Sequence, residues 1–251
     1  GPNLEAGIAF RRGAVHTVEM TDASAAITSV IVSTARSVPS GAAAVGYAVA
    51  TKGAVPRQLA MSRSALNANG FEGKIGQILE LPQGDGLLVA VGIGAPGEID
   101  ANGLRSAAAG FARAAAKFDR LATNLTDVDA VEAEEAGRAV VEGVLLASYR
   151  YVGLKNDDDA GTKLADLTLI AGGKRAKGVE RGAEAGRVIA GATAFARELA
   201  NTPPTYLNAK DLAAKAVELG PGAGLTVEVF NKDDLATMGC GGIIGVNRGS
   251  T

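Results

Sequence analysis

"RELANTPPTYLNAKDLAAKA", residues 197–216, places two adjacent prolines between two segments that both read as helix. A residue that precedes proline is pushed out of the helical region, so Asn201 and Thr202 end the upstream helix and Pro203-Pro204 enforce an extended turn. Asn208 can then cap a second helix, with Asp211 at its third position. The stretch therefore reads as a joint between two structural units, and the chain is best read outward from it.

Upstream of the joint, strand-like and helix-like runs alternate, which predicts a mixed α/β sheet. Strands are expected at Ile27 to Val32, Val45 to Val49, Lys74 to Leu81, Leu87 to Ile93 and Leu164 to Gly172. "GLLVAVGIG", residues 86–94, is a continuous apolar run, as in a strand buried on both faces. Asp100 can cap a helix to about Phe118, whose apolar stripe is Leu104, Ala107, Ala108, Phe111, Ala115 and Phe118. A second helix is expected from about Asp129 to Arg150, with Glu132, Glu134 and Glu135 complementing the dipole of its first turns.

A long helix from about Lys174 to Ala200 comes next. It carries a polar stripe of Lys177, Arg181, Glu184 and Arg187 and a seam of Val179, Ala183, Gly186, Ala190 and Ala194. Downstream of the joint, a helix to about Leu219 is broken by "GPGAG". "LTVEVF", residues 225–230, alternates as a strand, "KDDLATMG" reads as a short helix, and "CGGIIGVNRGST", residues 240–251, reads as the approach to another strand. The expected organisation is an α/β domain over 1–172, a linker helix over 173–202 and a second unit over 203–251. One or two strands and two helices cannot bury both faces of a sheet, so that second unit is expected to be incomplete.

Composition limits the chemistry. The chain has 251 residues, 47% of them hydrophobic, 21% charged and 4% aromatic, with no Trp. The apolar content is largely alanine, which predicts packing by close approach of small side chains. A net charge of -2 and a pI near 5.6 supply no bulk attraction to nucleic acid or an anionic membrane, although "RSALNANGFEGK" (63–74) and "GGKRAKG" (172–178) are locally basic. One cysteine, Cys240, excludes an internal disulfide framework and suits a reducing compartment. Gly1-Pro2 reads as a protease scar. The first residues lack an uninterrupted apolar run, and "GAAAVGYAVA" (41–50) is too short to span a bilayer. The expected location is the cytoplasm.

Four features could carry chemistry. "GIGAPG", residues 92–97, has the spacing of a dinucleotide fingerprint, but Pro96 lies inside the loop and no strand ending in an acid comes some 20 residues on. A strand-to-helix turn is the better reading. Asp157 to Asp159 lack the glycine and glutamate of a calcium loop and read as an exposed acidic loop. His16 is the only histidine, so a multi-histidine metal site or a triad would have to be built around it. Cys240 has no histidine near it in sequence to act as base and reads as a buried small hydrophobe.

The joint and the glycine-rich segment downstream of it resemble the M17 leucyl aminopeptidases. Asn201-Thr202-Pro203-Pro204 matches the helix end between that family's two domains. Gly239, Gly241, Gly245, Val246, Gly249 and Ser250 match its glycine-rich segment, with Asn247 where glycine is common. "VEGVLLASYRY", residues 141–151, is similar to an upstream helix end of the family. The resemblance implies a macro-like mixed-sheet N-terminal domain, a long linker helix and the first elements of an α/β aminopeptidase catalytic domain.

It also implies a cytoplasmic metallopeptidase with two divalent ions, zinc or manganese, where a metal-bound water attacks the scissile carbonyl of a peptide and one metal holds its free α-amino group. In the family the ligands and the catalytic lysine and arginine lie beyond the region matched here. No catalytic, cofactor-binding or metal-binding residue is therefore assigned in this chain, which alone is expected to bind no metal and be inactive. The implied partners are the remaining catalytic-domain polypeptide, peptide substrates and further copies in a homo-oligomer, a hexamer. The abrupt terminus "GVNRGST" is read as a cut inside the second domain. Competing readings are a binding or regulatory module, DNA binding included, which the charge balance disfavours, and a catalytically silent scaffold.

Overall fold

The computed structural model describes residues 23–153 and 161–249. His16, Gly1-Pro2, Asp157 to Asp159 and Ser250 lie outside the described residues. The described chain divides into two compact units that part between Asn201 and Thr202.

The first unit is built on six strands: β1 (Ile31–Ala35), β2 (Ala44–Val49), β3 (Ile78–Gln83), β4 (Gly86–Gly92), β5 (Arg120–Thr123) and β6 (Asp166–Ile170). Their spatial order is β1-β6-β5-β2-β4-β3, with every pairing parallel except the β3–β4 hairpin. That is the mixed sheet the alternation predicts. Helices α1 (Ala23–Thr28), α3 (Ala101–Ala114), α4 (Ala133–Ser148) and α5 (Ala176–Asn201) supply one face, while α2 (Arg63–Ala68) lies on the other.

Strand β4 shows why the central run is apolar throughout. Leu87, Val89 and Val91 enter the core beneath the large helices, and Ala90 enters the smaller core with Val45, Tyr47, Leu66 and Phe71. A strand covered on both faces has no solvent side to alternate toward.

Asp100 caps α3, its carboxylate accepting from the Gly103 amide at 2.7 Å. Leu104, Ala107, Ala108, Phe111 and Ala115 are all buried, although the helix stops at Ala114 and Phe118 lies beyond it. Helix α4 begins at Ala133, later than Asp129, with Glu134 and Glu135 in its first turn. The small-residue seam of α5 packs along α4. At that crossing, a Cβ on Gly182 would overlap the Glu134 carbonyl and one on Gly137 the Val179 carbonyl, so the backbones meet where no side chain fits.

Three expectations are corrected. Ile27 sits in α1, not in a strand; Ser29 N bonds Ala25 O at 2.8 Å, and extended pairing starts only where Ile31 meets β6. Residues 225–230 form no strand, because the described part of the second unit contains no other strand to take up their backbone groups. The glycine-rich segment forms a short helix, α8 (Gly241–Val246), whose bonds, such as Ile244 N to Cys240 O at 3.2 Å, close locally.

The second unit also contains α6 (Ala209–Leu219) and α7 (Lys232–Thr237). Both begin with a reciprocal capping box, Asn208 with Asp211 and Asn231 with Asp234. The Pro203 carbonyl accepts from the Tyr206 and Leu207 amides at 2.9 and 3.1 Å, so the diproline opens a tight turn before the first cap.

Candidate functional site

Open parallel sheets bind ligands beyond the carboxyl ends of their strands, so that edge is the first place to look for chemistry. Here several of its polar groups bond to the protein itself. The Gly92, Ile93 and Gly94 amides donate to the carbonyls of Gln77 (2.9 Å), Val49 (3.1 Å) and Gly73 (2.8 Å). A loop that cradles phosphate needs free amides, so "GIGAPG" is a strand-to-helix turn, with Gly94 and Gly97 at φ 80 and 82.

Next to it, Asn124 Oδ1 accepts from the Ala48 amide at 2.8 Å, and the Thr123 and Thr126 hydroxyls donate to the Gly46 and Ile170 carbonyls, each at 3.0 Å. The Arg175 guanidinium donates to the carbonyls of Thr126, Val128 and Val131, with Nη2 2.8 Å from the last. The whole edge is cross-braced.

Two carboxylates that sequence reasoning missed are buried between helices. Glu142, on α4, accepts from Arg105 Nε at 2.6 Å and lies 3.8 Å from Arg138 Nε, while Arg105 also donates to Asn102 Oδ1 at 2.6 Å. A cleft of about 390 Å³ opens beside them, lined by Asp100, Asn102, Arg105, Asp129, Glu135 and Arg138. Its lining charges are of both signs, so it presents no single-sign field to a ligand, although Arg138 Nε is buried there without a hydrogen-bond partner.

Glu198, 2% exposed, accepts from the Tyr149 hydroxyl at 3.0 Å; Asn201 Nδ2 donates to that hydroxyl at 3.3 Å. Arg197 lies over the Tyr149 ring at 5.8 Å and donates to the Leu146 carbonyl at 3.0 Å. Burial is the main cause that raises the Tyr149 phenol above its ordinary pKa. A signal for Glu198 was present: it is the next position, four residues on, of the seam that ends at Ala194.

In the second unit, Cys240 is half-buried ahead of α8, not fully buried as expected. Gly239, Gly241, Gly245, Val246 and Gly249 lie in or around α8, with Gly239 at φ 77. Among the described residues of this unit only Thr202 and Gly220 are buried. Leu225, Val229, Ile243 and Val246 are exposed, Val246 at 92%. Beside them an apolar groove of about 620 Å³ is lined by Ala209, Leu235, Ile243, Ile244 and Val246.

Among the described residues, no group of three or more His, Cys, Asp or Glu side chains is placed to hold a metal ion, and no helix is long and apolar enough to cross a membrane.

A mixed α/β unit joined through a capped diproline turn to glycine-rich helical elements defines a two-part architecture, and comparison with known proteins names it. The model of the cytosol aminopeptidase family N-terminal domain matches residues 57–158, and that of the family's catalytic domain matches 194–251. The chain is 35% identical over 201 residues to a Rhodococcus erythropolis protein described as "Probable cytosol aminopeptidase", covering 77% of this chain and 38% of that protein. A Mycobacterium leprae protein of the same description is 34% identical over 190 residues, covering 74% and 36%. The chain thus spans less than two fifths of the length of these relatives.

Among solved structures, the bottromycin maturation enzyme BotP superposes with a TM-score of 0.64 at 30% identity, over 79% of this chain and 41% of BotP, and BotP has also been solved in complex with Mn. A tomato leucine aminopeptidase mutant superposes with a TM-score of 0.69 at 17% identity, over 83% of this chain and 46% of its own, a likeness of fold. The chain belongs to the cytosol aminopeptidase (M17) family.

Proposed function

We propose that this chain is the N-terminal portion of a metal-dependent leucyl aminopeptidase that removes N-terminal residues from peptides. Residues 1–172 form the N-terminal domain, 173–202 the linker helix and 203–251 the start of the catalytic domain. The catalytic and metal-binding groups belong to polypeptide outside this chain, which holds two divalent ions, manganese or zinc. The working enzyme is a cytoplasmic homo-oligomer, a hexamer.

One observation carries this reading: the segment matched by the catalytic-domain model, 194–251, leaves the apolar side chains of the second unit exposed. Large exposed apolar patches mark surfaces that another polypeptide covers. The identity to curated aminopeptidases and the Mn complex of BotP support the activity and the metal.

The test is complementation. The chain is expected to leave leucine p-nitroanilide intact on its own with added manganese, and to hydrolyse it when co-produced with the remaining catalytic-domain polypeptide of an aminopeptidase of this family. Failure of an intact, co-purifying pair to hydrolyse any aminoacyl p-nitroanilide would contradict the proposal.

A further inference from the structure

The Tyr149–Glu198–Asn201 cluster lies at a particular place. Tyr149 is the residue at which the chain leaves α4, with φ -58 and ψ 132, and Asn201 is the last residue of α5. The two compact units part immediately after Asn201. Tyr149 falls within the segment matched by the family's N-terminal model, and Glu198 and Asn201 within the segment matched by its catalytic model. The cluster therefore bonds one family segment to the other.

Four residues apart, Ala190, Ala194 and Glu198 succeed one another along the buried face of α5. Ala190 and Ala194 hold α5 by close contact, which is not directional. Glu198 replaces that contact with a buried carboxylate, which needs a hydrogen-bond donor in one position. Tyr149 supplies the donor, Asn201 bonds the same hydroxyl, and Arg197 covers the ring.

We propose that Tyr149, Glu198 and Asn201 form a latch that holds the last turn of α5 helical and so sets the residue at which the joint begins. While the latch is closed the chain becomes free to turn only after Asn201. When it opens, the final turn frays and the pivot moves about one helical turn upstream, toward Arg197. The Pro203-Pro204 turn defines the downstream limit of the same joint. The latch is thus a conformational device that fixes the length of the connection between the two family segments, and it does not depend on the aminopeptidase reading.

Hydrogen exchange read by mass spectrometry on the intact chain tests it, with Tyr149→Phe, Glu198→Gln and, as a control on the exposed mid-helix pair, Glu184→Gln. In Tyr149→Phe the amides of 199–202 should exchange about tenfold faster or more, the effect of losing a hydrogen bond to a charged group, and in Glu198→Gln, whose amide oxygen still accepts from Tyr149, they should exchange faster by a smaller factor. Those of 179–190 should keep their protection, and trypsin should cleave after Arg197 at a correspondingly raised rate. If Glu198→Gln fails to fold, Tyr149→Phe decides alone, since it keeps the ring and its stacking. Unchanged exchange at 199–202, loss spread evenly along α5, or an equal effect at 199–202 from Glu184→Gln would each overturn the proposal.

Discussion

The two units obey different rules. In the first, Val89, Leu121 and Leu167 of the sheet and Phe111 of α3 are buried together in one core. In the second, α6 and α7 have their first amides satisfied by complete capping boxes, yet Leu212, Val217, Leu225 and Val229 are exposed. Caps are closed by residues three apart in sequence, whereas a core requires partners from elsewhere. The second unit therefore has its local instructions in place and its apolar side chains uncovered.

The comparison breaks first at its most buried point. Phe111→Ala should cost about 3–5 kcal/mol of stability by denaturant unfolding, against a change within about 0.5 kcal/mol for Ile243→Ala at an exposed site. Equal losses would show that the second unit has a core of its own.

The next effect concerns the helix crossing. Gly182→Val places a side chain against the Glu134 carbonyl and should cost about 2–3 kcal/mol, read as a lowered denaturation midpoint. Asn208→Ala removes an N-cap and should cost about 1 kcal/mol of α6 stability, read as lost helicity by circular dichroism with the first unit's transition unmoved.

The smallest effect depends on pH. The hydrogen bond from Arg187 holds the Glu184 carboxyl below its ordinary value, so its contribution is present above the unfolded carboxylate pKa and is lost as pH falls through the folded one. The carboxylate is largely exposed, which limits the difference between wild type and Glu184→Gln to below about 0.5 kcal/mol. In urea unfolding that difference should be present near neutral pH and fade as the pH falls below the ordinary glutamate range of about 4.

What the sequence disclosed depended on how local each signal was. Asp100 and Asn208 with Asp211 act within a few residues, and the structure places each as the spacing predicts, whereas the diproline opens a tight turn in place of the extended one expected, with Asn201 still helical. Strand β4 was legible because burial on both faces leaves an unbroken apolar run. Strand β5 was missed because Arg120–Thr123 is four residues long and shows no alternation; its pairing with β2 and β6 makes it a strand.

Residues 225–230 failed for the opposite reason, carrying the alternation without a described neighbour to pair with. At the site level, "GIGAPG" had the right glycines, and only the structure showed that the amides of Gly92, Ile93 and Gly94 are bonded to backbone carbonyls. Glu142 and Glu198 were hidden because an acid on an apolar stripe is ordinarily assigned to solvent, and their burial depends on Arg105 and Tyr149 from other parts of the chain.

The most direct test of the central claim is native-state hydrogen exchange across the whole chain, alone and with the remaining catalytic-domain polypeptide. We predict strong protection of β2, β4, α3, α4 and α5 in both states, and little protection of 209–246 until the second polypeptide is added. Protection of 209–246 as strong as that of β4 in the chain alone would contradict the claim that the second unit is completed from outside.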